Sequence, residues 1–289
     1  MNKKKWICLL AAAASLSMAS CGVDNEAVTI NHKEGAASEQ KTEVSELADE
    51  DTLYQYSTYS AFAQGTYNGL ITSKDFLTYG DTGIGIADGL DGVMVAADGV
   101  MYKIGSDGTA TECEKNDKIA YGAVTTLNSS RTQSVLEIKG YKNFCDALSN
   151  QIILNQICIA RIDGKFSSVK LSCPSAQSEP YKPYEQASKD NVAYRYKDIS
   201  GTVIAVYYPE FYEGISQSGW QMYFISEDKT KGGIVSDIHI TEGKCIIEKT
   251  SKFSLETPQT DEFNKLTLKA GGLTESDTDD EESSQEMQQ

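Results

Sequence analysis

The side chains whose spacing most directly suggests a site lie in residues 219–235. Residues 220–226 and 234–240 read as strands, and the turn residues between them predict a hairpin folded about Asp228-Lys229. Residues i and i+2 of a strand point to one face, so Gln221 and Tyr223 converge. Folding the hairpin brings Ile234 opposite Tyr223. The three present an amide, a phenol and an alkyl group. A phenol ionises only near pH ~10 and an amide does not titrate, so the set suits holding a hydroxyl or carbonyl better than moving a proton. Nucleophilic machinery is not evident. The chain has two histidines: His32 in a polar N-terminal stretch, and His239 one step out of phase with Ile234 and therefore facing away from that cluster. No Ser-His-Asp set can be assembled around it, and the glycine runs lack the phosphate-loop pattern G-x-x-x-x-G-K-[ST].

The formal net charge of −16 argues against nucleic-acid binding, which needs a Lys/Arg-rich face. Much of the acid sits in residues 271–289, where Glu275, Asp277, Asp279, Asp280, Glu281, Glu282 and Glu286 crowd together. Such a run buries too little apolar surface to offset ordering entropy and reads as a disordered tail. At the other end, Lys3-Lys4-Lys5 precedes a short apolar run, and Met18-Ala19-Ser20-Cys21-Gly22 follows it. That arrangement is similar to a bacterial lipoprotein signal, residues 1–21, with Cys21 as the lipidated residue. Residues 22–50 lack aromatics and read as a flexible tether. The expected location is the cell envelope, lipid-anchored outside the cytoplasm, with the membrane as a partner through Cys21. Beyond Cys8 and Cys21 remain Cys113, Cys145, Cys158, Cys173 and Cys245, an odd number with no C-x-x-C spacing. They cannot all pair within one chain.

The elements that must position the cluster can be read in outline. Residues 57–69 carry Tyr59, Phe62, Ala63 and Tyr67 at helix-like offsets. Three short strands, 84–86, 93–95 and 100–104, are separated by glycine turns, with Asp98-Gly99 and Asp107-Gly108 suited to hairpins. Residues 144–154 read as a helix with Phe144, Leu148, Ile152 and Ile153 on one stripe. Residues 157–162 and 166–171 read as a hairpin joined across Asp163-Gly164, and 201–208, 220–226, 234–240 and 245–248 as further strands. The predicted class is α+β: a mixed β-sheet N-terminal half with helices, followed by a small β-barrel-like C-terminal half. The folded domain is expected over 51–270.

Several blocks, in order over roughly 52–250, resemble the α-acetolactate decarboxylase family. Gln55-Tyr56-Ser57-Thr58 with Gly65-Thr66-Tyr67-Asn68-Gly69 is similar to its opening. Gly80-Asp81-Thr82-Gly83-Ile84-Gly85 and Leu90-Asp91-Gly92 follow its G-D-x-G-x-G and L-D-G-E stretches. Arg161-Ile162-Asp163-Gly164-Lys165-Phe166, Pro180-Tyr181-Lys182-Pro183 and Gly219–Val235 complete the series. The resemblance implies the family's fold, a possible homodimer, and a reaction in which zinc held by three histidines promotes decarboxylation of 2-acetolactate to acetoin. Here the three zinc positions are Gln221, Tyr223 and Ile234. The glutamate after L-D-G is Val93, and the arginine expected in V-K-x-R is Ser172, beside Lys170. The family's C-terminal glutamate has no placed counterpart, Glu275 being the candidate. No cofactor is therefore expected, and the pocket lined by Val93, Ser172, Gln221, Tyr223 and Ile234 is expected to take a small neutral ligand in a pseudoenzyme. The alternatives are an active decarboxylase with a rebuilt site, and a surface protein-interaction module using the acidic tail.

Overall fold

A computed structural model describes residues 51–127 and 132–268. The leader with Cys21, the tether, His32 and the acidic tail with Glu275 lie outside these residues. The first sheet is built from β1 (Thr52–Tyr56), β2 (Ile71–Thr72), β3 (Thr82–Ala87), β4 (Val93–Ala97), β5 (Val100–Ile104), β6 (Ala110–Glu112) and β7 (Lys118–Thr125). The second is built from β8 (Thr132–Lys139), β9 (Cys158–Cys173), β10 (Val192–Tyr208), β11 (Gly219–Ser226) and β12 (Gly232–Lys249). The chain then returns as β13 (Lys252–Glu256) to the edge of the first sheet, parallel to β1. This one parallel pair among antiparallel neighbours makes the first sheet mixed.

Side-chain alternation explains why the sheets stack. Val93 and Val95 of β4 enter the inter-sheet core with Ile84, Ile86 and Leu53. Met94 and Ala96, one residue out of phase, face the opposite side with Tyr54, Tyr56 and Phe76. In the second sheet Tyr223, Ile225, Ile204 and Val206 meet the first sheet. Met222, Phe224, Val203 and Ala205 turn outward against Phe144 and Leu148. The β4–β5 connection is the two-residue hairpin expected of Asp98-Gly99, with φ of 57° and 76°, as that turn requires.

Two helices differ from the sequence expectation. The first, α1 (Tyr59–Ala63), is a short turn whose Thr58 side chain accepts from the Ala61 amide. It ends where Gly65 takes φ 98°. The second helix of interest, α2 (Tyr141–Ser149), starts three residues before Phe144 and stops well short of Leu154. Phe144 and Leu148 supply its buried stripe, whereas Ile153 and Leu154 are 62% and 53% exposed. The apolar period continues past the point where there is a surface to cover.

The larger correction concerns Asp163-Gly164, which make no turn. β9 is one strand of sixteen residues running straight through them. Gly164 pairs with Gly201 of β10 on one side and Gly243 of β12 on the other. A Cβ on Gly164 would lie 2.5 Å from the Glu242 carbonyl oxygen, and one on Gly201 2.5 Å from the Phe224 ring. The row is glycine because backbones and side chains approach there too closely for any other residue. Asp163 serves the strand too: its Oδ1 accepts from Thr202 Oγ1 at 2.7 Å, and its Oδ2 from Arg161 Nε at 2.9 Å.

The pairings of the second sheet run β11–β10–β9–β12 and then back from β12 to β11, while β8 joins only β12. Four long strands thus form a circuit, closed by the short hairpin ladder.

The glycine row predicts a specific sensitivity. Gly164→Ala should lower the urea midpoint, with a loss of about 1–3 kcal/mol from overpacking. An unchanged midpoint would contradict the close approach of the three backbones at this row.

Candidate functional site

The hairpin has the register that alternation and turn position predict. Tyr223 lies opposite Ile234, Phe224 opposite Gly233 and Ile225 opposite Gly232, and there the β11–β12 pairing ends. On the N-terminal side of Tyr223, β11 keeps only β10 as a neighbour. Past Ile234, β12 runs on against β9, beginning with Ile234 opposite Ser172. The connecting turn is held by Asp228, whose Oδ1 accepts from Ser226 Oγ at 2.6 Å and Thr230 Oγ1 at 2.8 Å. These bonds, with the Thr230 amide, hold its carboxyl down to about 2.

A cavity of about 150 Å³ lies beside the parting of the two strands. Gln221, Tyr223 and Ile234 line it together, as do Tyr59 of α1, Tyr121 of β7 and Tyr184. Ser172 and Val93 do not line it. Ser172 sits one strand further along the row, opposite Ile234. Val93 is fully buried and pairs with Ile86, which does reach the cavity. Its isopropyl group is absorbed into the inter-sheet core, where an ionised carboxylate at the same place would need a partner. Lys170 is exposed. His239 sits on β12 opposite Ser168 and Lys139, with Nε2 3.8 Å from Glu137. Neither belongs to the cavity.

The polar groups of the pocket are tied into the fold. Gln221 Nε2 donates to Ser216 Oγ at 3.0 Å and to the Gln217 carbonyl at 3.0 Å. Ser216 is fully buried and shares a 2.7 Å hydrogen bond with Tyr121 Oη. Deeper, Tyr208 Oη donates to Gln55 Oε1 at 2.8 Å. Gln55 Nε2 in turn donates to the Ser57 and Ile215 carbonyls, so the segment carrying Ser216 is pinned from both sides.

Burial pushes the Tyr223 phenol well above its ordinary range, with the neighbouring phenols of Tyr184 and Tyr121 adding to the effect. Burial likewise raises Tyr59, Tyr121 and Tyr184. All four are neutral phenols at physiological pH.

This donor set does not fit zinc. Gln221 offers an amide already committed through its nitrogen, Tyr223 is held as the neutral phenol, and Ile234 has no ligand atom. Zinc sites use thiolate, imidazole or carboxylate. Among the described residues no three His, Cys, Asp or Glu side chains gather closely enough to hold a metal ion. The arrangement can bind through aromatic faces, hydroxyls and amides.

The sequence pointed to the hairpin side of this cavity and missed the other. Tyr121 arrives from a segment without a motif, Tyr184 follows the Pro180-Tyr181-Lys182-Pro183 block without belonging to it, and Tyr59 belongs to the helical stripe of 57–69. The available signal was the tyrosine content, 16 residues, which is not a positional one.

Comparison with known proteins gives a consistent result. A family model described as alpha-acetolactate decarboxylase matches residues 53–270. The chain is 31% identical over 219 residues to the alpha-acetolactate decarboxylase of Methanosarcina mazei, spanning 75% of this chain and 76% of that one. It is 29% identical over 217 residues to that of Bacillus subtilis, spanning 75% and 85%. The fold is similar to the crystal structure of the Bacillus subtilis protein, with a TM-score of 0.72 at 28% identity over 75% of this chain and 93% of that one.

The register makes the convergence of these three positions testable. The combined substitution Gln221→His, Tyr223→His and Ile234→His should place three imidazoles together, and about one zinc per chain should be found by elemental analysis after dialysis. No zinc in a folded triple variant would mean that the three positions do not converge as the pairing indicates.

Proposed function

The chain belongs to the α-acetolactate decarboxylase family, and from that premise we propose that it keeps the family fold without the family reaction. The carrying observation is the convergence of Gln221, Tyr223 and Ile234 on one cavity at the positions where the family resemblance expects three zinc-binding histidines. In this reading the protein is a pseudoenzyme whose cavity binds a small molecule without a metal. The ligand is not an anion like acetolactate, since no charged residue lines the cavity and the arginine position is Ser172. A small neutral molecule such as a diol or hydroxyketone satisfies those terms.

The test is acetoin formation from 2-acetolactate by the full-length chain with added zinc, with metal content measured on the same sample. The expected outcome is no bound zinc and no acetoin above the spontaneous rate. Stoichiometric zinc with turnover would overturn the proposal.

We further propose that residues 1–21 are a lipoprotein signal, that Cys21 carries the lipid, and that 22–50 tether the domain outside the cytoplasm. The support is the charged, apolar and small-residue order of the leader. Two or more acyl chains anchor a protein stably. Expressed in a bacterial host, the protein should sediment with membranes and Cys21→Ser should move it to the soluble fraction; equal membrane recovery of the two would reject lipid anchoring. Homodimerisation, implied by the family resemblance, belongs to the same proposal.

A further inference from the structure

We propose that the cavity selects a small organic cation of the quaternary-ammonium type. The inference rests on reading the cavity as a metal-free binding pocket, and assigns it a cationic ligand in place of the neutral one. Seven of its thirteen lining residues are aromatic and none is charged. Tyr59, Phe62, Tyr121 and Tyr184 form a continuous wall: Phe62 stacks on Tyr121 at 5.5 Å between centroids, Tyr184 lies 4.8 Å from Phe62, and Tyr59 meets Tyr121 edge-on at 6.4 Å. Trp220, Tyr223 and Tyr141 line it as well, and Tyr141 Oη donates to the Trp220 carbonyl at 3.0 Å, which fixes the helix against β11.

The electrostatics of such walls have a definite sign. Aromatic faces are the negative ends of a quadrupole and attract a cation held within about 6 Å of the ring centre, most strongly where water is excluded. Burial keeps the phenols protonated, so the attraction comes from the rings and not from a phenolate charge. Glu213, in the turn before Ser216, extends a negative field onto Tyr59 and Tyr121. The chain as a whole carries −16, so long-range forces favour entry of a cation over an anion.

Hydrogen-bonding capacity separates the kinds of cation. A primary ammonium brings three N–H donors that need acceptors once buried. Gln221 Nε2 is itself a donor, and Ser216 Oγ and Tyr121 Oη are engaged with each other, so no carboxylate and only the Gln221 carbonyl oxygen and the other phenols are left to meet three donors. A quaternary ammonium has no N–H and asks only for polarisable walls. Size agrees: about 150 Å³ is the volume at which an engineered protein cavity holds benzene, and a trimethylammonium head is no larger.

Calorimetric titration of the full-length chain tests this with two probes of matched shape, choline and its uncharged isostere 3,3-dimethylbutan-1-ol. Choline should bind about tenfold more tightly or better. Tyr59→Phe, which keeps the ring, should retain that preference, and Tyr59→Leu should reduce it severalfold. Glu213→Gln provides a second arm: it keeps a side-chain oxygen for the Ser218 amide, which Glu213 now accepts at 3.2 Å, and should weaken choline while leaving the isostere unchanged. Circular dichroism of each variant checks folding. Equal binding of the two probes, or tighter binding of the alcohol, overturns the cation assignment while leaving a metal-free pocket standing. Binding of neither probe, together with zinc-dependent acetoin formation, overturns both readings; binding of neither without that activity overturns the cation assignment.

Discussion

The close approach of three backbones at Gly201, Gly164 and Gly243 is the constraint on which the second sheet depends. These residues lie side by side on β10, β9 and β12. The Phe224 ring closes over Gly201, and the Ile240 side chain over Gly164 and Gly243. Strands of sixteen to eighteen residues cannot return to their starting point while flat, and glycine marks sites of tight bending in such sheets. With side chains on that row, Phe224 would be forced off the surface it covers. Displacing Phe224 shifts β11, and with it the register that sets Tyr223 against Ile234. Pocket geometry therefore depends on a row that contributes no atom to the pocket.

The cavity wall is rigid for a separate reason. Gln55, Tyr208, Ser216, Tyr121 and Gln221 form hydrogen-bonded connections running from the core to the cavity edge. Buried polar groups of this kind specify one arrangement when their partners are all present, because any alternative leaves a donor or acceptor unmet. Gln221 occupies the position of a metal ligand in the family pattern, yet its amide nitrogen is spent on Ser216 and Gln217. It contributes to the wall first, and to a ligand only through what remains.

The hairpin register was legible in the sequence because two local rules coincide there. A period-two pattern fixes which side chains share a face, and the turn at Asp228-Lys229 fixes which residue lies opposite. Asp163-Gly164 misled for the same local reason. The dipeptide suits a turn, but glycine also serves where strands crowd, and the crowding partners, Gly201 and Gly243, are 37 and 79 residues further along the chain. The end of α2 was overrun because the apolar run continues through Ile153 and Leu154, which have no surface to cover, although Ile152 still packs beside Phe144 and Leu148. Tyr59, Tyr121 and Tyr184 were illegible as a group, since only tertiary packing brings α1, β7 and the loop after β9 to one place. Val93 and Ser172 were located by family resemblance alone; they sit beside the cavity residues Ile86 and Ile234 without entering the cavity.

The residues at the positions where the family resemblance expects zinc ligands hold the hairpin together by packing. Three histidines facing one another are held together by the ion they share, and without it their ring nitrogens require other partners in a dry site. Ile234 needs none of that support, and most of the Tyr223 side chain is an apolar ring. Both pack with the inter-sheet core, and Gln221 closes its donors locally. Apolar contact thus does the joining that coordination does elsewhere, and it acts over the whole hairpin rather than at a single point. Gln221, Tyr223 and Ile234 thus each supply a contact that holds these strands together. The cavity beside these positions is walled by aromatic side chains, and its Gln221 and Tyr121 groups are hydrogen-bonded to Ser216.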